Sequence, residues 1–145
     1  MMNKMTFLLV LLMGLCLLGA PALAGDFDGS KTLICAAVDV TECFPGGKCQ
    51  KVTAEEVNLP DFLRLNFKDK NIRATMVGRE NLETDIERVE TIDGKLMVQG
   101  AEDGREDTKD GLGWTMAIDE LSGKLVFTAA GADVAFVVFG ACIVP

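Results

Sequence analysis

Apolar and polar residues alternate in short runs along most of this chain, and glycine, proline, asparagine and aspartate separate the runs. No run keeps the 3.6-residue period of an amphipathic helix, so the pattern predicts strands joined by turns. Residues 31–42 are rich in β-branched and small apolar side chains and read as the first strand. A tight loop over residues 43–49 follows, with Pro45, Gly46 and Gly47 supplying the reversal, and residues 50–52 return. Thr53 and Glu56 stand at capping-box spacing, and Pro60 forces Leu59 to be extended, which limits any helix there to one short turn. Over residues 62–67, Leu63, Leu65 and Phe67 fall on one face and Phe62, Arg64 and Asn66 on the other.

Beyond a polar turn at residues 68–71, residues 72–77 read as a strand and residues 78–84 as a charged loop. The clearest hairpin joins residues 85–92 to residues 95–100 through Asp93-Gly94, a favoured two-residue turn with both residues at positive φ. A charge-dense loop at residues 101–111 leads to residues 112–118, where Trp114, Met116 and Ile118 share a face. Residues 124–129 and 134–142 are the last two strands, and the second is apolar on both faces, as in a strand buried on both sides. The expectation is an all-β fold of eight or nine short strands with one short helical turn. Short connections favour antiparallel neighbours, so the chain should form a small meander barrel, with a two-sheet sandwich as the alternative.

The first residues change the picture of where this domain works. Lys4 precedes an unbroken apolar run at residues 7–20, and Pro21-Ala22-Leu23-Ala24 ends it with small residues at the two positions a signal peptidase reads. That order predicts a secretory signal over residues 1–24 cleaved after Ala24, and a single β domain over residues 25–145. The run is too short for a membrane span before Pro21, Asp26 and Asp28, so no membrane anchor is expected after cleavage. Leu15 before Cys16 is the wrong residue for a bacterial lipid-attachment site.

An exported chain lies in an oxidising compartment, and the four cysteines outside the leader, Cys35, Cys43, Cys49 and Cys142, read as two disulfides. The short loop favours Cys43–Cys49, which leaves Cys35–Cys142 to join the first strand to the last. A four-thiolate zinc site lacks the paired C-x-x-C spacings. The full chain carries a net charge of −8, and loss of Lys4 with the leader makes it −9. Such a balance opposes nucleic acid or an anionic membrane as partner and permits a basic protein.

There is no histidine and no tyrosine, which removes histidine triads and imidazole acid–base chemistry. Ser30 and Ser122 lie in no nucleophile motif. Asp61, Glu55 and Glu56 are the nearest approach to a glycosidase-like carboxylate pair, and nothing in the sequence encloses them. Residues 102–110 could be read as a calcium loop, but Thr108 stands where a carboxylate or amide is wanted and Ala117 where the bidentate glutamate belongs. No cofactor and no metal is implied.

Two recognition features remain. Glu102, Asp103, Glu106, Asp107 and Asp110 form an acidic loop suited to a basic partner such as a cell-envelope enzyme. Trp114, Met116, Phe127 and Phe136, with Phe139, could line a cavity for a small apolar ligand, or simply fill a core. The reading is an exported, non-enzymatic binding protein of unknown partner. An inhibitor acting through the acidic loop and a carrier of a small apolar ligand are the specific alternatives, and a carboxylate-based hydrolase is the outsider.

The chain also resembles a group of short exported proteobacterial proteins of unknown function. The likeness runs from Phe27-Asp28-Gly29-Ser30 through Glu42-Cys43 to Gly46-Gly47-Lys48-Cys49-Gln50, then through residues 55–60 and 86–90, Gln99-Gly100 and Ala117-Ile118-Asp119 to residues 134–142. Residues 106–113 look like an insertion relative to that group. The resemblance implies an exported, disulfide-bonded β domain and brings no catalytic residue.

Overall fold

Ten strands form, because nearly every alternating run finds a neighbour of the same kind on each side. The structure is a computed structural model and describes residues 26–75, 82–104 and 107–145. The strands are β1 (Leu33–Phe44), β2 (Lys48–Val52), β3 (Phe62–Asn66), β4 (Asn71–Ala74), β5 (Glu83–Asp85), β6 (Arg88–Ile92), β7 (Lys95–Glu102), β8 (Leu112–Asp119), β9 (Lys124–Ala130) and β10 (Ala135–Ile143). All pairings are antiparallel, in the order β5-β4-β3-β1-β10-β9-β8-β7-β6, with β2 added on β1. The sheet is a meander curled into a half-barrel, as the short connections predict. The expected leader with its cleavage site after Ala24, along with Gly25, lies outside the described residues.

The two ends of this strand order belong to one stretch of chain. β5 pairs with β4, and β6, two residues later, pairs with β7. At the crossing, Ile86 N donates to Lys70 O at 2.8 Å and Glu87 N donates to Gln99 O at 2.9 Å. Ile86 itself is buried in the core. A kink of two residues therefore hands the chain from one edge of the sheet to the other, and these two bonds tie the edges together at the crossing. The sequence expectation of one strand over residues 85–92 is corrected accordingly. Strand β4 ends at Ala74, and of the loop expected at residues 78–84, Glu83 and Thr84 belong to β5 while residues 76–81 lie outside the described residues.

At the seam, β1 lies between β3 and β10, and Cys35 faces Cys142 in register. The bridges are Cys35–Cys142, spanning 107 residues of sequence, and Cys43–Cys49, spanning 6. Inward residues of successive strands stack in layers: Leu96, Ile118 and Leu125 in one, Val98, Met116, Phe127 and Val138 in the next. Leu33, Leu65, Leu96, Val98, Met116, Ile118 and Val138 are fully buried, each worth about 1.5–3 kcal/mol in apolar transfer. Phe27 packs against this core from the end at which β1 begins. The turn Asp93-Gly94 has φ of 50° and 71°, which fixes the β6–β7 register.

Two sequence expectations fail for physical reasons. β10 is buried on one face only. Phe136, Val138 and Cys142 point inward, whereas Phe139 and Ile143 are exposed on the outside, because among the described residues no second layer covers the sheet there. The expected helical turn is not helical. Thr53 and Glu56 do close the capping box: Glu56 N donates to Thr53 Oγ1 at 3.2 Å, and Glu56 Oε2 accepts from Thr53 N at 2.7 Å and from Thr53 Oγ1 at 3.0 Å. Residues 54–58 then make only turns, and Leu59 N reaches back to Ala54 O as Pro60 draws the chain into β3.

The capped turn makes acid stability testable. The bonds from Thr53 hold the Glu56 carboxyl below its ordinary value of 4.5. Bonds from Ser122 hold Asp119, and bonds from Ser30 hold Asp28, below 3.8. A lowered folded pKa means the unfolded chain binds more protons over that window. The contribution is complete above the ordinary values and is lost as pH falls through the lowered ones. Urea midpoints for the protein and for Glu56→Gln should differ at neutral pH and converge as pH falls below the ordinary value and through the lowered one. A gap that does not change with pH would show that the ionised Glu56 carboxyl gains nothing from its capping bonds.

Candidate functional site: the open end of the barrel

Strand alternation decides which side chains meet at the end of the barrel away from Phe27. Trp114 on β8 lies opposite Ala129 on β9, and Ala129 lies opposite Phe136 on β10. One layer deeper, Met116 lies opposite Phe127, Phe127 opposite Val138, and Val138 opposite Val40 of β1. These inward positions, with Leu63, Ile72 and Ala74 from β3 and β4, surround a cavity of about 300 Å³. That is the lower end of the range for small-molecule sites. The segment Val57-Asn58-Leu59-Pro60, positioned by the capped turn, forms one wall.

The cavity exists because small residues occupy inward positions at this level. Ala74 and Ala129 leave space that larger side chains would fill. Gly100 has a different role. It lies opposite Trp114, and a Cβ there would stand 2.4 Å from the indole and 2.5 Å from the Asp85 carbonyl, so only glycine lets the ring lie against β7. Trp114 is 6% exposed; its ring centroid lies 6.5 Å from that of Phe127, tilted by 40°. Trp114 Nε1 donates to Thr84 Oγ1 at 3.4 Å, and Thr84 Oγ1 donates in turn to Ala101 O at 3.1 Å. These polar groups of the wall are thus engaged with the protein. Among the described residues, no buried side-chain nitrogen or oxygen lacks a partner.

Trp114, Met116, Phe127 and Phe136 therefore meet at one cavity. Phe139 does not join them, because its place on β10 turns it outward against Val126. Asp103, Asp107 and Asp110 lie in the loop between β7 and β8, which leaves the barrel at the cavity's rim, while Glu106 lies outside the described residues. Glu102 is the exception in the acidic set. As the last residue of β7 it sits on the inward side of the strand and lines the cavity mouth.

The carboxylates that the sequence offered as a pair are not brought together in an enclosed site. Glu55 and Asp61 are exposed, and Glu56 is occupied by its capping bonds. Glu83 accepts from Asn71 Nδ2 at 2.7 Å and from Arg73 Nη2 at 3.0 Å, a contact that holds β4 and β5 in register. Among the described residues, no group of three or more acidic or cysteine side chains is placed to hold a metal ion. A second, shallower groove runs beside the β1 bulge at Val38, lined by Ala37, Asp39, Lys51 and Glu56 among others, and is open to solvent.

Sequence reasoning missed the wall made by Val57–Pro60, Leu63, Ile72, Ala74 and Leu112. The available signal was period-two alternation: Leu63 shares the face of Leu65, and Leu112 that of Trp114. The turn wall left no such signal, because its position follows from where β1 changes partner from β3 to β2. No protein-family model, curated protein or solved structure matches this chain.

Proposed function

We propose that this is an exported, non-enzymatic binding protein that carries a small apolar ligand in the open end of its barrel. The observation that carries this reading is the cavity of about 300 Å³, walled almost wholly by apolar side chains and open at the rim. Protein interiors pack to crystal-like density with few voids larger than a water molecule, and small-molecule sites are concave and mostly apolar, as this cavity is. The leader over residues 1–24 and the two disulfides are compatible with work outside the cytosol. The absence of histidine from the whole sequence favours binding over catalysis.

Trp114 is the only tryptophan and lies in the cavity wall, so it reports occupancy directly. Titration with octanol should shift and quench its emission saturably, and native mass spectrometry should show one ligand per chain. An emission that stays constant through the titration, with no bound mass, would leave only a packed core.

A further inference from the structure

Resting on the carrier reading, we propose that the ligand bears a cationic head, an alkyl ammonium rather than a carboxylate, seated against Glu102. Along β7 the inward positions run Leu96, Val98, Gly100 and Glu102. The first two are buried in the core and the third is covered by Trp114. The fourth places a carboxylate where the apolar wall meets solvent. Among the described residues that carboxylate makes no hydrogen bond or ion pair with another side chain.

The rest of the described rim offers an anion no positive charge, only the neutral amide of Asn58. No lysine or arginine lines the cavity. Arg73, between the cavity-lining Ile72 and Ala74 on β4, is bound to Glu83. Thr84 and Trp114 are engaged with each other, and Asn58 is neutral. Among the described residues of the adjoining loop, Asp103, Asp107 and Asp110 outnumber the one cation, Lys109, which leaves the opening negative. An alkyl chain in the cavity therefore brings its head beside a carboxylate that has no ion-pair partner among the described residues. An ammonium gains there and a carboxylate is repelled.

Octylammonium, octanol and octanoate share a tail and differ in head charge, so they separate tail binding from head recognition. Titrated into the protein at neutral pH and low salt, octylammonium should bind roughly tenfold more tightly than octanoate, with octanol between them. Added salt should weaken octylammonium and leave octanol unchanged. Glu102→Gln, a substitution of similar shape on an exposed residue, should bring octylammonium to within about twofold of octanol and leave octanol itself unaffected. Octanoate binding as tightly as octylammonium, or a Glu102→Gln protein that keeps the full preference, overturns the proposal while octanol binding keeps the cavity reading intact. If none of the three binds, the carrier reading itself falls and this one falls with it.

Discussion

Replacing both Cys35 and Cys142 with alanine should destabilise the domain by about 4–5 kcal/mol, lowering its melting temperature by roughly 10–20 °C. The bridge spans 107 residues, so reduction releases nearly the whole domain from one closed loop in the unfolded ensemble. Both sulfurs are buried and lie in register on the two strands that complete the sheet, β1 and β10. Cys43–Cys49 makes the internal comparison. It closes a span of 6 residues at the tip of the exposed β1–β2 hairpin, and its removal should cost only about 2 kcal/mol. Urea and thermal unfolding of the two double-alanine variants measure both terms. Equal losses would mean that loop length does not set the contribution and that local contacts dominate.

This contrast was legible in the sequence, because the short spacing of Cys43 and Cys49 selects that pair and leaves Cys35 for Cys142. The alternation at Leu63, Leu65 and Phe67, and at Trp114, Met116 and Ile118, likewise fixes an inward face before any neighbour is known. The residues around Ile86 were not legible. Residues 85–92 read as one strand because nothing local marks a break, and the change of partner from β4 to β7 follows from the curl of the whole sheet. β10 shows the same limit from the other side. A run that is apolar on both faces predicts double burial, yet Phe139 and Ile143 are exposed, since hydrophobicity in the run does not say whether a second layer exists.

The candidate site was legible in its large residues and not in its small ones. Trp114, Met116, Phe127 and Phe136 are conspicuous in a sequence, but whether they fill a space or surround one depends on what stands opposite. Ala129 between Trp114 and Phe136, and Ala74 across the barrel, decide that question, and an alanine carries no signal of its own. Glu102 was legible only as one acid among several. Its separate character comes from being the last inward position of β7, a matter of strand length that the charge-dense loop sequence obscures.

Filling the space should therefore separate a ligand cavity from a core more sharply than any truncation. The double variant Ala74→Leu/Ala129→Leu puts branched side chains from β4 and β9 into the volume that Trp114 and Phe136 border. If that volume is empty in the free protein, the added methyl and methylene groups gain contacts, and stability should hold or rise by about 0.5–2 kcal/mol. Octanol would lose room for several of its methylenes at about 0.8 kcal/mol each, so its affinity should fall by roughly a hundredfold. A close-packed interior gives the opposite result. The same substitutions would then force side chains off their rotamers at a cost of about 1–3 kcal/mol, with no octanol binding to lose. Unfolding midpoints and Trp114 titrations of one pair of proteins thus discriminate the two accounts. A variant that is destabilised while octanol affinity stays unchanged would place the ligand elsewhere and sink the cavity reading.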